Sequence, residues 1–70
     1  MKLADRIIEL LLWLGPLSVP NLTYDLNTNK TANRVTQEEV QAELHQMEDA
    51  GRVLMRAGIY RISEAERAKL

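Results

Sequence analysis

The stretch that decides the fold runs from residue 36 to residue 62 and reads TQEEVQAELHQMEDAGRVLMRAGIYRI. Apolar residues recur at helical spacing in its first half: Val40, Leu44 and Met47. Thr36 and Glu39 form a capping box at the start of this half, and Gly51 is typical of a helix end. The pattern therefore predicts a helix over about residues 37–50.

In the second half the apolar period changes to two, which predicts a two-stranded β-ribbon over about residues 52–62. With Ala57-Gly58 as the turn, the facing pairs on one side are apolar: Val53 with Ile62, and Met55 with Tyr60. The other side then carries Arg52, Leu54, Arg56, Ile59 and Arg61. A register shifted by one residue would pair Val53 with Arg61, so the pattern selects the first register. Alanine is unusual at the first position of a type I′ or II′ turn, which leaves the turn type open.

The front of the chain predicts a helix over about residues 3–14, ended by Gly15-Pro16. Its apolar side consists of Leu3, Ala4, Ile7, Ile8, Leu10, Leu11 and Leu14. With Leu12 this apolar arc spans roughly 200°, wider than the ~100° that a surface helix needs. We therefore expect something besides the domain's own core to cover part of this helix.

A shorter helix is expected over about residues 19–27, after an extended step at Leu17 and with Ser18 as its N-cap. Residues 27–34 (NTNKTANR) have no apolar periodicity and predict a polar loop. A second capping box, of Ser63 and Glu66, opens a short tail over residues 63–70. No repeat or linker interrupts the chain, so residues 1–70 are expected to form a single domain.

The composition excludes several classes of protein. At 46% hydrophobic and 27% charged residues, the chain resembles globular proteins rather than disordered segments. It contains no cysteine, which excludes disulfides and thiolate metal sites. The longest apolar run, residues 10–14, is too short to cross a bilayer. We expect a cytoplasmic protein with no membrane partner.

No catalytic or cofactor-binding constellation is evident. The adjacent carboxylates Glu38 and Glu39 diverge on a helix, and the three glycines do not form a phosphate-binding loop. His45 and Asp49 are one helical turn apart, but two ligands without a third make a poor metal site. We expect no enzyme activity, no metal and no cofactor.

The order of elements (helix, short helix, longer helix, two-stranded ribbon) resembles the winged helix-turn-helix superfamily over residues 3–63. The resemblance is carried by RIIELLLWLGPLSVPNL at the front and VTQEEVQAELHQMEDAGRVLMRAGIYRIS behind. The second stretch is similar to the recognition helix and wing of small bacterial and phage regulators, in which a Leu-x-x-(Leu/Met)-Glu-x-x-Gly-x-Val run joins the two. Here that run is Leu44, Met47, Glu48, Gly51 and Val53. The expected fold is α+β, mostly α: a three-helix winged helix-turn-helix with a C-terminal two-stranded wing.

The resemblance implies a small DNA-binding protein, a transcriptional regulator whose third helix enters the major groove. The base-facing positions would be Gln37, Glu38, Gln41, Ala42 and His45. The wing tip, residues 56–58, would approach the backbone or the minor groove. The cations expected to hold phosphates are Lys30, Arg34, Arg52, Arg56 and Arg61.

The charge of the third helix favours an alternative function. Its residues 37–50 contain no Lys or Arg but five carboxylates: Glu38, Glu39, Glu43, Glu48 and Asp49. Such a helix repels a polyanion. Winged helices also serve as protein-docking modules, so the alternative is a phage-type inhibitor or assembly factor whose acidic helix binds a basic protein.

Two features of the first helix leave alternatives open. Trp13 falls on its polar side, where the ring either folds over neighbouring side-chain stems or docks against a partner. Leu3, Leu10 and Leu14 form a stripe that is either core or the seam of a homodimer. We expect a homodimer, because two-fold regulators bind paired half-sites and a small domain gains buried area in this way.

Overall fold

The computed structural model describes residues 2–28 and 34–70. The helices in this part of the chain are α1 (Leu3–Leu14), α2 (Val19–Asn27), α3 (Gln37–Asp49) and α4 (Glu64–Arg67). The strands are β1 (Leu17–Ser18), β2 (Val53–Arg56) and β3 (Ile59–Ile62). The chain is thus a small, mostly helical α+β protein.

The strands form one antiparallel sheet in the order β1-β3-β2. The register expected for β2 and β3 is confirmed, since Val53 lies opposite Ile62 and Met55 opposite Tyr60. The turn between them has φ of 54° at Ala57 and 79° at Gly58. Positive φ at both central residues is the backbone of a type I′ turn, whose twist matches that of the strands.

The sheet has three strands and not the two expected from the sequence. Leu17 pairs with Tyr60 and Ser18 with Ile59, so the extended step after α1 forms a strand along β3. Two residues are too few to show an alternating pattern. This strand therefore depends on the tertiary position of β3, which the local sequence does not encode.

The C-terminal tail also differs from expectation, because residues 64–67 form the helix α4. Ser63 caps this helix, with its Oγ accepting a hydrogen bond from the Glu66 N–H. The second half of the expected capping box is replaced. The Ser63 N–H donates to the Arg52 carbonyl, and the Glu66 carboxylate binds the Arg52 side chain.

One apolar core lies between α1, α2, α3 and the inner face of the sheet. Its buried side chains are Ala4, Ile7, Ile8, Leu11, Leu22, Leu26, Val40, Leu44, Met47, Val53, Tyr60 and Ile62. Leu3 and Leu10 are partly buried and pack against this core. Of the stripe of Leu3, Leu10 and Leu14, the first two residues therefore belong to the core.

The helix ends are set by local chemistry. The Ser18 Oγ accepts from the Asn21 N–H at the start of α2, and α1 and α2 cover the spans expected from the sequence. Helix α3 ends at Asp49, one residue earlier than expected. There the Gly51 N–H donates to the Glu48 carbonyl and the Arg52 N–H to the Met47 carbonyl. This is a Schellman motif, with Gly51 at a φ of 75°.

Candidate functional site

The outward face of α3 carries the residues that the sequence suggested as base-facing. Gln37, Gln41 and His45 are spaced by four residues, so they lie in one row along the helix. All three are exposed, as are Glu38 and Ala42 beside them. We call this row, Gln37, Gln41 and His45, the α3 stripe.

Side-chain hydrogen bonds hold the end of α2 against the start of α3 and against α1. The Asn27 side chain donates from Nδ2 to the Val35 carbonyl and accepts at Oδ1 from the Val35 N–H, at 2.8 and 2.7 Å. Arg6 of α1 donates to the Leu26 carbonyl at 2.8 Å, which places a cation at the negative end of α2. The entrance to α3 is therefore fixed even though the chain between Thr28 and Arg34 is not described.

The capping box at the start of α3 is present in both directions. The Glu39 N–H donates to the Thr36 Oγ1 and the Thr36 N–H donates to the Glu39 carboxylate. The Glu39 carboxylate is therefore engaged within the cap. Three exposed carboxylates remain along the helix, at Glu38, Glu48 and Asp49. Within residues 2–28 and 34–70 no ion pair joins any of them to a cation, and they form the acidic surface of α3.

Arg52, which we expected to hold phosphate from the ribbon, is engaged elsewhere. It precedes β2, and its Nε and Nη2 each donate to a Glu66 carboxylate oxygen at 3.2 Å. The Glu66 side chain is 8% exposed and that of Arg52 31%. The hydrogen bonds between them lower the pKa of Glu66 and raise the pKa of Arg52. Arg52 thus ties α4 to the end of α3.

The other expected phosphate ligands fall in different places. Arg34 is exposed just before α3, and Arg56 is exposed at the end of β2, next to the turn. Arg61 lies on the outer face of the sheet and lines a groove beside α4. Lys30 lies outside the described residues. Arg34, Arg56 and Arg61 are thus exposed to solvent, whereas the partly exposed Arg52 is already paired with Glu66.

The inner face of the β2–β3 hairpin packs against α3 through β2 and against α1 through β3. Tyr60 is buried there, and burial raises the pKa of its hydroxyl, with a smaller contribution from the charge of Glu48. Helix α3 and the hairpin are thus held against each other, and the turn at residues 57–58 projects from this base.

The C-terminal end of α1 is apolar and uncovered. Trp13 is 86% exposed, and Leu14 and Leu12 are 52% and 42% exposed. Such exposure does not fit an indole ring folded over its neighbours. The sequence suggested Leu3, Leu10 and Trp13 as partner contacts, and of these only Trp13 is fully at the surface.

An open groove of about 470 Å³ adjoins this end of α1. Its apolar lining includes Leu11, Pro16 and Leu54, and its charged lining consists of Arg61, Glu64 and Arg67. Sequence reasoning missed this groove and the burial of Glu66. The capping motif at residues 63–66 gave a signal for a helix there, but no local pattern shows where a short helix packs.

No cluster of three or more His, Cys, Asp or Glu side chains suited to a metal ion occurs among the described residues. In the same part of the chain, no helix has the length and apolar character needed to cross a bilayer.

No protein-family model matches this chain, and no curated protein or solved structure is significantly similar to it. Function must therefore be inferred from the chain's own residues.

Proposed function

We propose that this protein is a winged helix-turn-helix domain that binds duplex DNA, with α3 in the major groove and the β2–β3 hairpin as the wing. The observation that carries the proposal is the α3 stripe. Three exposed side chains with hydrogen-bonding groups, and no charge on Gln37 or Gln41, occupy one row of an otherwise acidic helix. A glutamine amide can bond the N6 and N7 edge of adenine in bidentate fashion.

Two exposed arginines support this orientation. Arg34 lies just before the helix that carries the stripe, and Arg56 lies at the end of β2 next to the turn of the proposed wing. Guanidinium groups neutralise phosphates and hold a helix in register without reading sequence. We expect fewer than five cations to contact phosphates, since Arg52 is already paired with Glu66. We therefore expect weak binding at moderate salt.

The first experiment is titration of a labelled random-sequence duplex at low and at moderate salt. We expect binding at low salt that weakens as salt rises, because each phosphate contact releases counterions. Absence of binding even at low salt would contradict the proposal.

Two variants with matched controls test the assigned roles. Arg56→Ala should weaken binding to all sequences and reduce the salt slope by about 1, whereas Lys69→Ala, an exposed cation of the tail, should not. On a selected site, Gln41→Ala should relax sequence preference by about 1–3 kcal/mol at one base pair. Gln46→Ala removes an exposed glutamine from another side of α3 and should leave preference unchanged. Equal effects of variant and control would contradict the role of that residue.

A second candidate function rests on the acidic surface of α3. Glu38, Glu48 and Asp49 are exposed and without an ion pair in the described parts of the chain, as expected for a helix that docks a basic protein. The test is titration with an oligolysine peptide. Binding that is lost in Glu48→Gln plus Asp49→Asn, but kept in Glu64→Gln on α4, would favour this function over DNA binding.

A further inference from the structure

We propose that the C-terminal end of α1 and the adjoining groove form a surface that binds a second copy of this chain. This dimer surface consists of Leu12, Trp13 and Leu14 together with the groove lined by Leu11, Pro16, Leu54, Arg61, Glu64 and Arg67. The inference is independent of whether α3 binds DNA or protein. No residue of α3 lines the groove.

The first argument is the exposure of the α1 end. A single exposed leucine is ordinary on a protein surface, but contiguous large apolar side chains mark contact sites. Residues 12–14 are three consecutive large apolar residues, and Trp13 at 86% exposure leaves almost its whole ring in water. Leu11 and Pro16 flank this segment and line the groove, so the exposed segment and the groove are neighbours.

The second argument is the charge of the groove. An isologous dimer brings the same patch of both copies together, so its charged groups must complement themselves. The groove meets this condition because Glu64 lies there with Arg61 and Arg67. When two copies face each other across a two-fold axis, Glu64 of one can meet an arginine of the other. A surface with charges of one sign would oppose this pairing.

The third argument is area. A standard interface takes about 800 Å² from each partner, about a sixth of the 4937 Å² that this chain exposes. Burial of an aromatic ring contributes about 150–250 Å² by itself. Trp13 and the two neighbouring leucines supply the exposed apolar centre that such an interface needs, and Arg61, Glu64 and Arg67 supply a charged rim.

Trp13 is the sole tryptophan of the chain, which makes it a direct reporter. We would measure sedimentation equilibrium and Trp emission on the same samples from about 1 to 100 µM, the range in which a modest interface dissociates. We expect a monomer–dimer equilibrium and a blue shift of the emission with the same midpoint. A monomer throughout this range would overturn the proposal and leave the surface to a different partner.

Variants locate the interface. Trp13→Ala should weaken dimerisation by about 30-fold or more, as for a central aromatic anchor. The matched control is Tyr24→Ala, which removes an aromatic ring that is 71% exposed on α2, outside this surface. A dimer that survives Trp13→Ala, or that Tyr24→Ala weakens equally, would overturn the assignment.

Charge reversal tests the two-fold arrangement separately from apolar contact. Arg67→Glu and Glu64→Arg should each weaken dimerisation by about fivefold, and the double variant should restore it, because each charge then again faces its opposite. Circular dichroism checks that each variant remains folded. Failure of the double variant to recover would contradict the pairing of Glu64 with Arg67 across the axis.

Discussion

Helices α1 and α3 have similar lengths, 12 and 13 residues, yet they present opposite surfaces to solvent. Helix α3 buries Val40, Leu44 and Met47 and exposes polar and acidic side chains. Helix α1 buries Ala4, Ile7, Ile8 and Leu11 but also leaves apolar side chains exposed at its C-terminal end. A single small core needs only one apolar stripe from each helix. The exposed apolar residues of α1 are those of the dimer surface proposed above, whereas the exposed carboxylates of α3 are those of the proposed polar contact.

The two helices also differ in how their ends are held. Helix α3 begins with a reciprocal capping box, ends in a Schellman motif and is joined to α4 through Arg52 and Glu66. Helix α1 begins at Leu3, where the N-cap residue Lys2 provides no side-chain hydrogen bond, and it ends at the exposed Leu14, followed by Gly15. Local hydrogen bonds thus fix α3, whereas α1 depends on packing of its apolar face.

The largest expected effect is on stability, and it distinguishes a buried leucine of α3 from an exposed leucine of α1. Leu44→Ala in α3 should destabilise the protein by about 2–5 kcal/mol, because it leaves a cavity in the core. Leu14→Ala in α1 should change stability by no more than about 0.5 kcal/mol in dilute protein, since the side chain is already half exposed. Urea unfolding measures both. Similar losses for the two variants would show that the end of α1 is covered within the monomer.

The next effect concerns the end of α3. Glu66→Gln should lower the free energy of unfolding by about 1–2 kcal/mol at neutral pH, because it removes the carboxylate charge from the two hydrogen bonds with Arg52. The loss is moderate because water partly screens the charge of Arg52. The folded pKa of Glu66 lies below its ordinary value of 4.5, so the unfolded chain takes up the proton first. The stabilisation is then complete above about pH 4.5 and is lost as pH falls through the folded pKa.

Urea unfolding of both proteins at several pH values measures this difference, which should shrink below pH 4.5. Glu64→Gln, a neighbouring carboxylate outside the pair, is the matched control. A Glu66→Gln penalty that does not depend on pH would point to packing rather than to the charge.

A smaller effect is expected at the start of α3. Thr36→Ala should cost about 1 kcal/mol, because it removes the oxygen that accepts from the Glu39 N–H. Gln46→Ala, an exposed position of the same helix far from the Thr36 cap, should have almost no effect on thermal unfolding. If both variants unfold at the temperature of the parent, the capping box does not contribute to stability.

The smallest effect is a gain at the start of α1. Lys2 has the extended backbone of an N-cap, with φ −74° and ψ 154°, but provides no side-chain cap. Lys2→Asp should stabilise the protein by about 0.5 kcal/mol, because the carboxylate caps an N–H and favours the positive helix end. Lys69→Asp changes the net charge equally and should give no gain in thermal unfolding. A gain in both variants would attribute the effect to net charge.

The sequence alone predicted the strongly periodic elements, because their signals are local. The capping box at Thr36, the apolar spacing of α3 and the two-residue period around Ala57-Gly58 each lie within a few residues. The register of β2 with β3 followed from the same pattern, since it sets Val53 opposite Ile62 and Met55 opposite Tyr60, whereas a shift by one residue would pair Val53 with Arg61. The exposed α3 stripe followed in turn from the helical period.

The contacts between segments that are distant in sequence were decided only by the tertiary structure. Strand β1 exists because β3 lies beside it, and Arg52 is paired with Glu66 because α4 brings that carboxylate within reach. The groove beside α1 likewise joins residues from 11 to 67. An apolar period or a helix cap depends only on residues that are neighbours in sequence. A two-residue strand, an ion pair between residues 14 positions apart and a groove depend on how the folded chain brings distant residues together.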